Sequence, residues 1–595
     1  MFTPKFKNLV ELYRSAVETF ANNELFGVKK DGQWVWMRYG EFGRQVDRAR
    51  AGLHALSVHK GDRVAVIANN RPEWAIGAYA TYTLGAAYVP MYEAQNDKEW
   101  QYILKDSGAK VCIVSTTAIA DRLEKLRGEL PVLAHLVVMD GAANGRALTW
   151  NALLEKGKDP SVPLATPDGQ DVAGFIYTSG TTGNPKGVLL SHSNLASNVC
   201  AIEEVFPLDH TERSLSFLPW AHSFGQVAEL HALIARGASL ALAESVDKIV
   251  PNLAEVRPTL LFSVPRIFNK IYEGVHRTVA EVGGLKKKLF DAALRNANRR
   301  RALAARGERS GWMDLKHRIL DKLVFSKIRA RFGGQLKYAI SGGAALSRDV
   351  AEFVDNLGIM VYEGYGLTET SPIATANCPG ARKIGSVGKA IPGVRIEIDP
   401  SASGDDKQGE IIVHGHNIML GYHGLPEENA KVFTKDRGFR TGDMGTLDAD
   451  GYLTITGRIK EQYKLENGKY VVPVPLEEQL KLSPFITNAM VYGDNKPFNV
   501  ALIVPEMAIL KRWADEQGID ASDPKKLLGD ARVRTLIEQE VEKQSGEFKQ
   551  FEKIKRFSLV PDDFTTDNDM LTPTMKLKRR VVMNRFGGEI QSLYA

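Results

Sequence analysis

Cysteine is scarce: Cys112, Cys200 and Cys378 are the three in 595 residues, and they lie far apart. Such spacing offers no paired metal ligands and no disulfide framework, and it fits a reducing, cytoplasmic compartment. No run of about 18 apolar residues occurs, which excludes a membrane-spanning helix. The opening stretch, MFTPKFKNLVELYRSAVETF, is charged and amphipathic and lacks the form of a secretory signal. A Walker A loop cannot be fitted around Lys186, because Pro185 precedes it and Gly187 follows it.

What is present is ordinary for a globular chain: 44% hydrophobic and 25% charged residues. The length exceeds what one compact core supports, so at least two domains are expected. The net charge of +6 is unevenly spread. Residues 282–331 carry fifteen Lys/Arg against four Asp/Glu, leaving 62 basic against 67 acidic residues elsewhere. Within that segment, LKKKLFDAALRNANRRRALAARGE has helical spacing, with apolar residues on one side and cations on the others. A solvated helical face is the plain reading; docking on an anionic membrane or ligand is the functional one. No recognition motif accompanies the charge, so nucleic acid is not implied.

Short apolar strands alternate with helical stretches of 10 to 15 residues from Gly40 onward: DRVAVI, then Pro72–Leu84, then AKVCIVS. This pattern predicts an α/β fold with largely parallel sheets. At the centre stands YTSGTTGNPKG, Tyr177 to Gly187, between the apolar runs VAGFIY and Val188–Leu190. It reads as strand, glycine-rich loop, strand. Its hydroxyls (Thr178, Ser179, Thr181, Thr182), its glycines Gly180 and Gly183, and Lys186 could cradle a phosphate. Further on come SFLPWAHSFGQ with His222, LKYAISGGAA with Gly342, Gly343 and Ala344, VYEGYGLTET with a Gly-Tyr-Gly turn, and FRTGDMG with Asp443 in a turn. A strand with a glycine stop at Gly457 leads into GRIKEQYKLENGKYVVP, and the chain ends in a small α/β region with LTPTMKLKR near its close.

This series closely resembles the adenylate-forming superfamily, which includes acyl-CoA synthetases, peptide-synthetase adenylation domains and luciferases. Six motifs occur in that family's order, over about residues 8–585. The resemblance implies a large N-terminal adenylation domain, 1–458, of several subdomains including a small β unit, and a mobile α/β C-terminal lid, 459–595. It implies that Thr178, Ser179, Gly180, Thr181, Thr182, Gly183 and Lys186 hold the ATP phosphates. Gly342, Gly343, Ala344, Tyr365 and Gly366 would meet adenine, and Asp443 and Arg458 the ribose. Thr368 would touch the α-phosphate, and Glu369 with Thr178 would ligate Mg²⁺. His222 would form the wall of the carboxylate pocket, Lys460 would be the hinge, and Lys576 the catalytic lysine. Some long-chain relatives carry a gating tryptophan four residues after this histidine; Gln226 stands there, so no such gate is carried over. Many relatives have glycine before the lysine, where this chain has Met575. The basic insert and the TPTMKLKR ending resemble long-chain fatty acyl-CoA synthetases, implying a long-chain fatty acid and CoA as substrates. They also suggest a cytoplasmic protein with peripheral contact to an anionic membrane through 282–331. The alternatives are a fatty acyl-AMP ligase loading a carrier protein and a catalytically silent membrane-associated relative.

Overall fold

The computed structural model describes residues 2–145, 147–158, 162–178, 184–402, 407–572 and 575–595. Two large sheets carry the N-terminal part. One has nine strands: Lys389–Ala390, Ile373–Ala376, Met360–Gly366, Tyr338–Ser341, Leu260–Ser263, Arg213–Ser216, Ser239–Leu242, Glu24–Lys30 and Gln33–Arg38. The six from Met360–Gly366 to Glu24–Lys30 run parallel, with antiparallel strands closing each end. The other has eight: Gly421–Tyr422, Lys186–Ser191, Val172–Thr178, Ala87–Met91, Arg63–Ile67, Val111–Thr116, His135–Asp140 and Leu148–Thr149.

Both sheets share one core with the helices Pro72–Tyr82 and His192–Val205. Pro72–Tyr82 is buried on every side, and its sequence, PEWAIGAYATY, is correspondingly apolar all round. Trp74, Tyr79 and Tyr82 are fully enclosed, each worth about 1.5–3 kcal/mol of burial. A third, antiparallel sheet, Val394–Asp399, Gly409–Gly415, Phe439–Leu447 and Leu453–Arg458, is the small β unit.

In the C-terminal part a three-stranded sheet, Ile486–Tyr492, Asn499–Pro505 and Ile554–Leu559, buries both faces. Alternation decides which residue goes where. Ala489, Val491, Ala501 and Ile503 meet the helices Pro473–Leu480 and Ala531–Gln544, while Met490, Val500, Leu502 and Val504 meet Arg579–Ser592.

Local expectations need three corrections. Gly364–Gly366 do not turn: they complete the strand Met360–Gly366 and pair with Ile373–Ala376. A Cβ on Gly366 would lie 1.7 Å from the Pro372 carbonyl oxygen, so glycine permits the two backbones to meet. Asp443 also lies in a strand, Phe439–Leu447, opposite Arg458. Gly457 does not stop its strand, which continues to Arg458; a Cβ there would lie 2.7 Å from Val472, so close packing is its role. In the C-terminal part, Pro524–Gly529 and Ala531–Gln544 are separate helices, divided at Asp530, whose carboxylate caps the second by accepting from the Arg532 N–H at 2.8 Å.

Candidate active site

The site grows from the carboxyl ends of neighbouring parallel strands, where loops leave a sheet and form a crevice. Arg213–Ser216 leads to His222, Tyr338–Ser341 to Gly342, Gly343 and Ala344, and Met360–Gly366 to the single turn Thr368–Thr370. That turn packs on the strand Lys186–Ser191, which lies in register with Val172–Thr178 and sets Thr178 level with Lys186. Ser179, Gly180, Thr181, Thr182 and Gly183 lie outside the described residues.

Two side chains unflagged by the sequence tie this half together. Tyr422, on the short strand beside Lys186–Ser191, donates its hydroxyl to Glu369 Oε1 at 2.8 Å. Burial, then the Glu369 carboxylate, pushes the Tyr422 phenol upward, so it remains a donor. The Lys186 ammonium lies 5.0 Å from the Tyr422 ring centroid and is paired with Glu428 at 2.6 Å. Lys186 and then Lys431 hold the Glu428 carboxyl well below the ordinary range. The Gly-Tyr-His-Gly string at 421–424, akin to Gly364–Gly366, was the available signal for Tyr422. Nothing local marked Glu428.

Thr368 is buried, and its hydroxyl lies 3.3 Å from that of Ser223, the neighbour of His222. His222 Nδ1 accepts from the Phe224 N–H at 3.2 Å. Burial first, and the Lys576 ammonium second, push the imidazole down to about 4, leaving it neutral at pH 7. The Phe224 ring packs under Gly342, where a Cβ would approach it to 3.2 Å; Gly343 follows at φ +82°, and it and Ala344 are exposed. Gln226, where no gate was expected, is a core residue donating to the Tyr82 hydroxyl at 3.2 Å.

Asp443 is almost fully buried and holds two partners: the Tyr365 hydroxyl donates to Oδ2 at 2.7 Å, and Arg458 Nε meets Oδ1 at 2.8 Å. Glu363, two residues before Tyr365, accepts from the Leu346 N–H at 3.2 Å, and burial raises its carboxyl to about 7.

Lys576 arrives from the other part of the chain. It stands in a tight loop whose ends meet at the Leu571–Leu577 bridge, and Thr572 accepts its N–H at 3.0 Å. Met575 before it takes φ +63°, the left-handed region where glycine is free of strain. The Lys576 side chain is exposed. Its ammonium is lowered by desolvation and then by Arg458, against the pull of Asp443, Glu461 and Glu369. Arg579 does not reach the cleft: it pairs with Glu477 at 2.5 Å and donates to the Val491 carbonyl at 3.2 Å, pinning the loop to the C-terminal sheet. Lys460 is exposed in the turn that follows Arg458.

The donors present fit a hard divalent cation shared with phosphate oxygens. Tyr422 occupies one oxygen of Glu369 and leaves the other without a protein partner among the described residues. Among those residues no cluster of three or more His, Cys, Asp or Glu side chains forms a complete protein cage, and Mg²⁺ bound with phosphates needs none.

A lysine carried by one domain to a carboxylate-lined cleft at the strand ends of another is the arrangement of adenylate-forming enzymes, and fold and site together assign the protein to that class. The chain belongs to the AMP-binding enzyme family: the family's model matches residues 14–423, and that of the AMP-binding enzyme C-terminal domain matches 460–595. Similar proteins include a long-chain-fatty-acid–CoA ligase of Mycobacterium bovis, 36% identical over 95% of this chain and 93% of the other. The peroxisomal long chain acyl-CoA synthetase 7 of Arabidopsis thaliana is 32% identical over 100% of this chain and 87% of the other. The adenylation domain of a carboxylate reductase from Mycobacterium chelonae has the same fold, with a TM-score of 0.81 covering 100% of this chain and 92% of that one at 21% identity.

Proposed function

We propose that the protein is an AMP-forming long-chain fatty acyl-CoA synthetase, with an adenylation domain over 1–458 and a lid over 459–595. The observation that carries the reading is the convergence of Lys576 with Asp443, Glu369, Arg458 and His222 across the two parts of the chain. The long-chain substrate rests on the relatives, whose names specify long-chain fatty acids and CoA.

In the first step a carboxylate oxygen attacks the α-phosphorus of ATP, the bond to the β-phosphate oxygen breaks, and pyrophosphate leaves. A weak nucleophile must approach a polyanion, so catalysis is positioning and charge neutralisation. Lys576 bridges carboxylate and α-phosphate, and Thr368 donates to the latter. Lys186, Thr181 and Thr182 receive the pyrophosphate, and Lys186 exchanges Glu428 for phosphate oxygens as it does so. Tyr365, Gly366, Gly342, Gly343 and Ala344 border adenine, while Asp443 and Arg458 take the ribose hydroxyls. Glu369 and Thr178 would hold Mg²⁺, which when bound supplies neutralising charge to the phosphates. Neutral His222 lines the acid's path without trapping its carboxylate in an ion pair. In the second step the lid turns about Lys460 and withdraws Lys576. The CoA sulfur attacks the acyl carbon, the thiol proton is lost, the carbon–oxygen bond to phosphate breaks, and AMP leaves.

The test is a mass-spectrometric product assay with ATP, Mg²⁺ and carboxylic acids from acetate to long fatty acids, with and without CoA. Acyl-CoA and AMP, greatest for long chains, are expected. Acyl-adenylate that accumulates and never reaches CoA would instead mark a carrier-loading ligase.

A further inference from the structure

The segment 282–331 folds as a helical hairpin: Gly284–Ala304 packs against the helical stretch 311–330, itself composed of Gly311–Leu320, Asp321–Phe325 and Ser326–Ala330. The sequence drew attention to the first arm because of its charge. The more unusual surface is on the second. Trp312, Leu315, Ile319 and Leu323, spaced three, four and four residues apart, form one stripe along it, and they are 73%, 49%, 54% and 47% exposed. Leu320 and Phe325, on the other side of the same stretch, are buried in the core beneath. The helix is thus satisfied from below and still presents four large apolar side chains to solvent. A contiguous exposed apolar stripe marks an interaction site more often than chance.

Charge identifies the partner. Lys316, Lys322 and Lys327 are exposed and follow the stripe, offset by three or four residues from its members. The acidic residues of the stretch are engaged in ion pairs: Asp314 with Arg300 and Asp321 with Arg329, each at 2.7 Å. Unpaired lysines therefore outnumber unpaired carboxylates along the stripe. Tryptophan and aliphatic side chains flanked by lysines suit the boundary between lipid headgroups and acyl chains, where lysine stems lie along apolar surface and their ammonium groups stay at the phosphates. Among the described residues no helix is long and apolar enough to cross a membrane, so contact through this face lies in the plane of the bilayer surface.

We propose that the stripe Trp312–Leu315–Ile319–Leu323, with Lys316, Lys322 and Lys327, docks the protein onto an anionic lipid bilayer. The full chain is mixed with vesicles of equal parts phosphatidylglycerol and phosphatidylcholine, and with vesicles of phosphatidylcholine alone, and flotation is measured at low and high salt. Binding is expected on the anionic vesicles and should weaken with salt. The triple variant Lys316→Gln, Lys322→Gln, Lys327→Gln should bind about a hundredfold more weakly, from about 1 kcal/mol per basic residue near such a surface. The triple variant Trp312→Ser, Leu315→Ser, Ile319→Ser should lose flotation while melting with the wild type, because these side chains project into solvent. Brominated lipid should quench a part of the wild-type tryptophan emission that Trp312→Phe lacks; this conservative variant keeps the proposal testable if the serine variant folds poorly. Equal binding to neutral vesicles, or flotation and quenching unaltered by the variants, would overturn the proposal. So would loss of self-association in the serine variant with no lipid present, since the stripe would then be a contact between copies of the chain.

Discussion

Asp443 stands between Tyr365 and Arg458, which hold its two carboxylate oxygens at 2.7 and 2.8 Å. A carboxylate so engaged is already oriented before any ribose arrives, and a nucleotide's hydroxyls would have to compete with the phenol. Tyr365→Phe keeps the ring and frees one oxygen, so KM for ATP should change by less than about tenfold, the worth of one hydrogen bond. Asp443→Ala removes the ribose acceptor and leaves Arg458 without its counter-charge, and should raise KM by about a hundredfold or more. Equal effects of the two changes would contradict the assignment of Asp443 to ribose.

Tyr422 orients Glu369 through one oxygen and leaves the other available. Support of this kind is worth about 10- to 100-fold in metal affinity. Tyr422→Phe should therefore raise the Mg²⁺ concentration needed for half-maximal adenylation by about tenfold, with little change in KM for the acid. Titration of Mg²⁺ at saturating ATP reads this directly, and an unchanged midpoint removes Tyr422 from the metal site.

Lys576→Ala should slow adenylation by about 10²–10³-fold, typical for removal of one group that stabilises developing charge. It should spare thioester formation from supplied acyl-adenylate. Lys460→Pro should do the reverse, because it stiffens the turn about which the lid moves. Measuring both half-reactions in both variants decides the matter: parallel losses would refute a division of labour between lysine and hinge.

His192 is fully buried, and neither ring nitrogen has a partner among the described residues. Burial, against a smaller pull from Asp171, pushes its imidazole down to about 4 from an ordinary value of 6.5. The unfolded chain takes up the proton between pH 6.5 and 4 while the folded chain resists it, so stability falls as the pH drops through that window. His192→Leu removes both liabilities. It should stabilise the protein by about 1 kcal/mol or more at pH 7 and by more at pH 5. Denaturant melts at the two pH values check this, and a smaller gain at pH 5 would contradict it.

The sequence was most legible where one period governed a whole element. Helix Pro72–Tyr82 and the strands Arg63–Ile67, Val111–Thr116, Val172–Thr178 and Lys186–Ser191 lie where the apolar runs indicated. Glycine misled in two places. At Gly366 and Gly457 it serves close packing against Pro372 and Val472, a contact between distant segments that local spacing cannot display. The site residues were legible as types in strings, and the structure brings Thr368, His222, Asp443, Arg458 and Lys576 to one cleft. Their partners were not. Glu428 reaches Lys186 across 242 residues of chain, and Tyr422 reaches Glu369 across 53. Such pairs exist because of topology, and no local pattern announces them.

Arg579, three residues beyond Lys576, is riveted to Glu477 on the helix Pro473–Leu480 and to the Val491 carbonyl of the C-terminal sheet. The intervening chain is too short to swing on its own, so the lysine has no independent stroke. It travels as a tooth on a gear, engaged or disengaged with the whole domain. On the proposed mechanism, a rotation of the domain that admits a thiol would disarm adenylation in the same movement, so that the two chemistries would exclude each other.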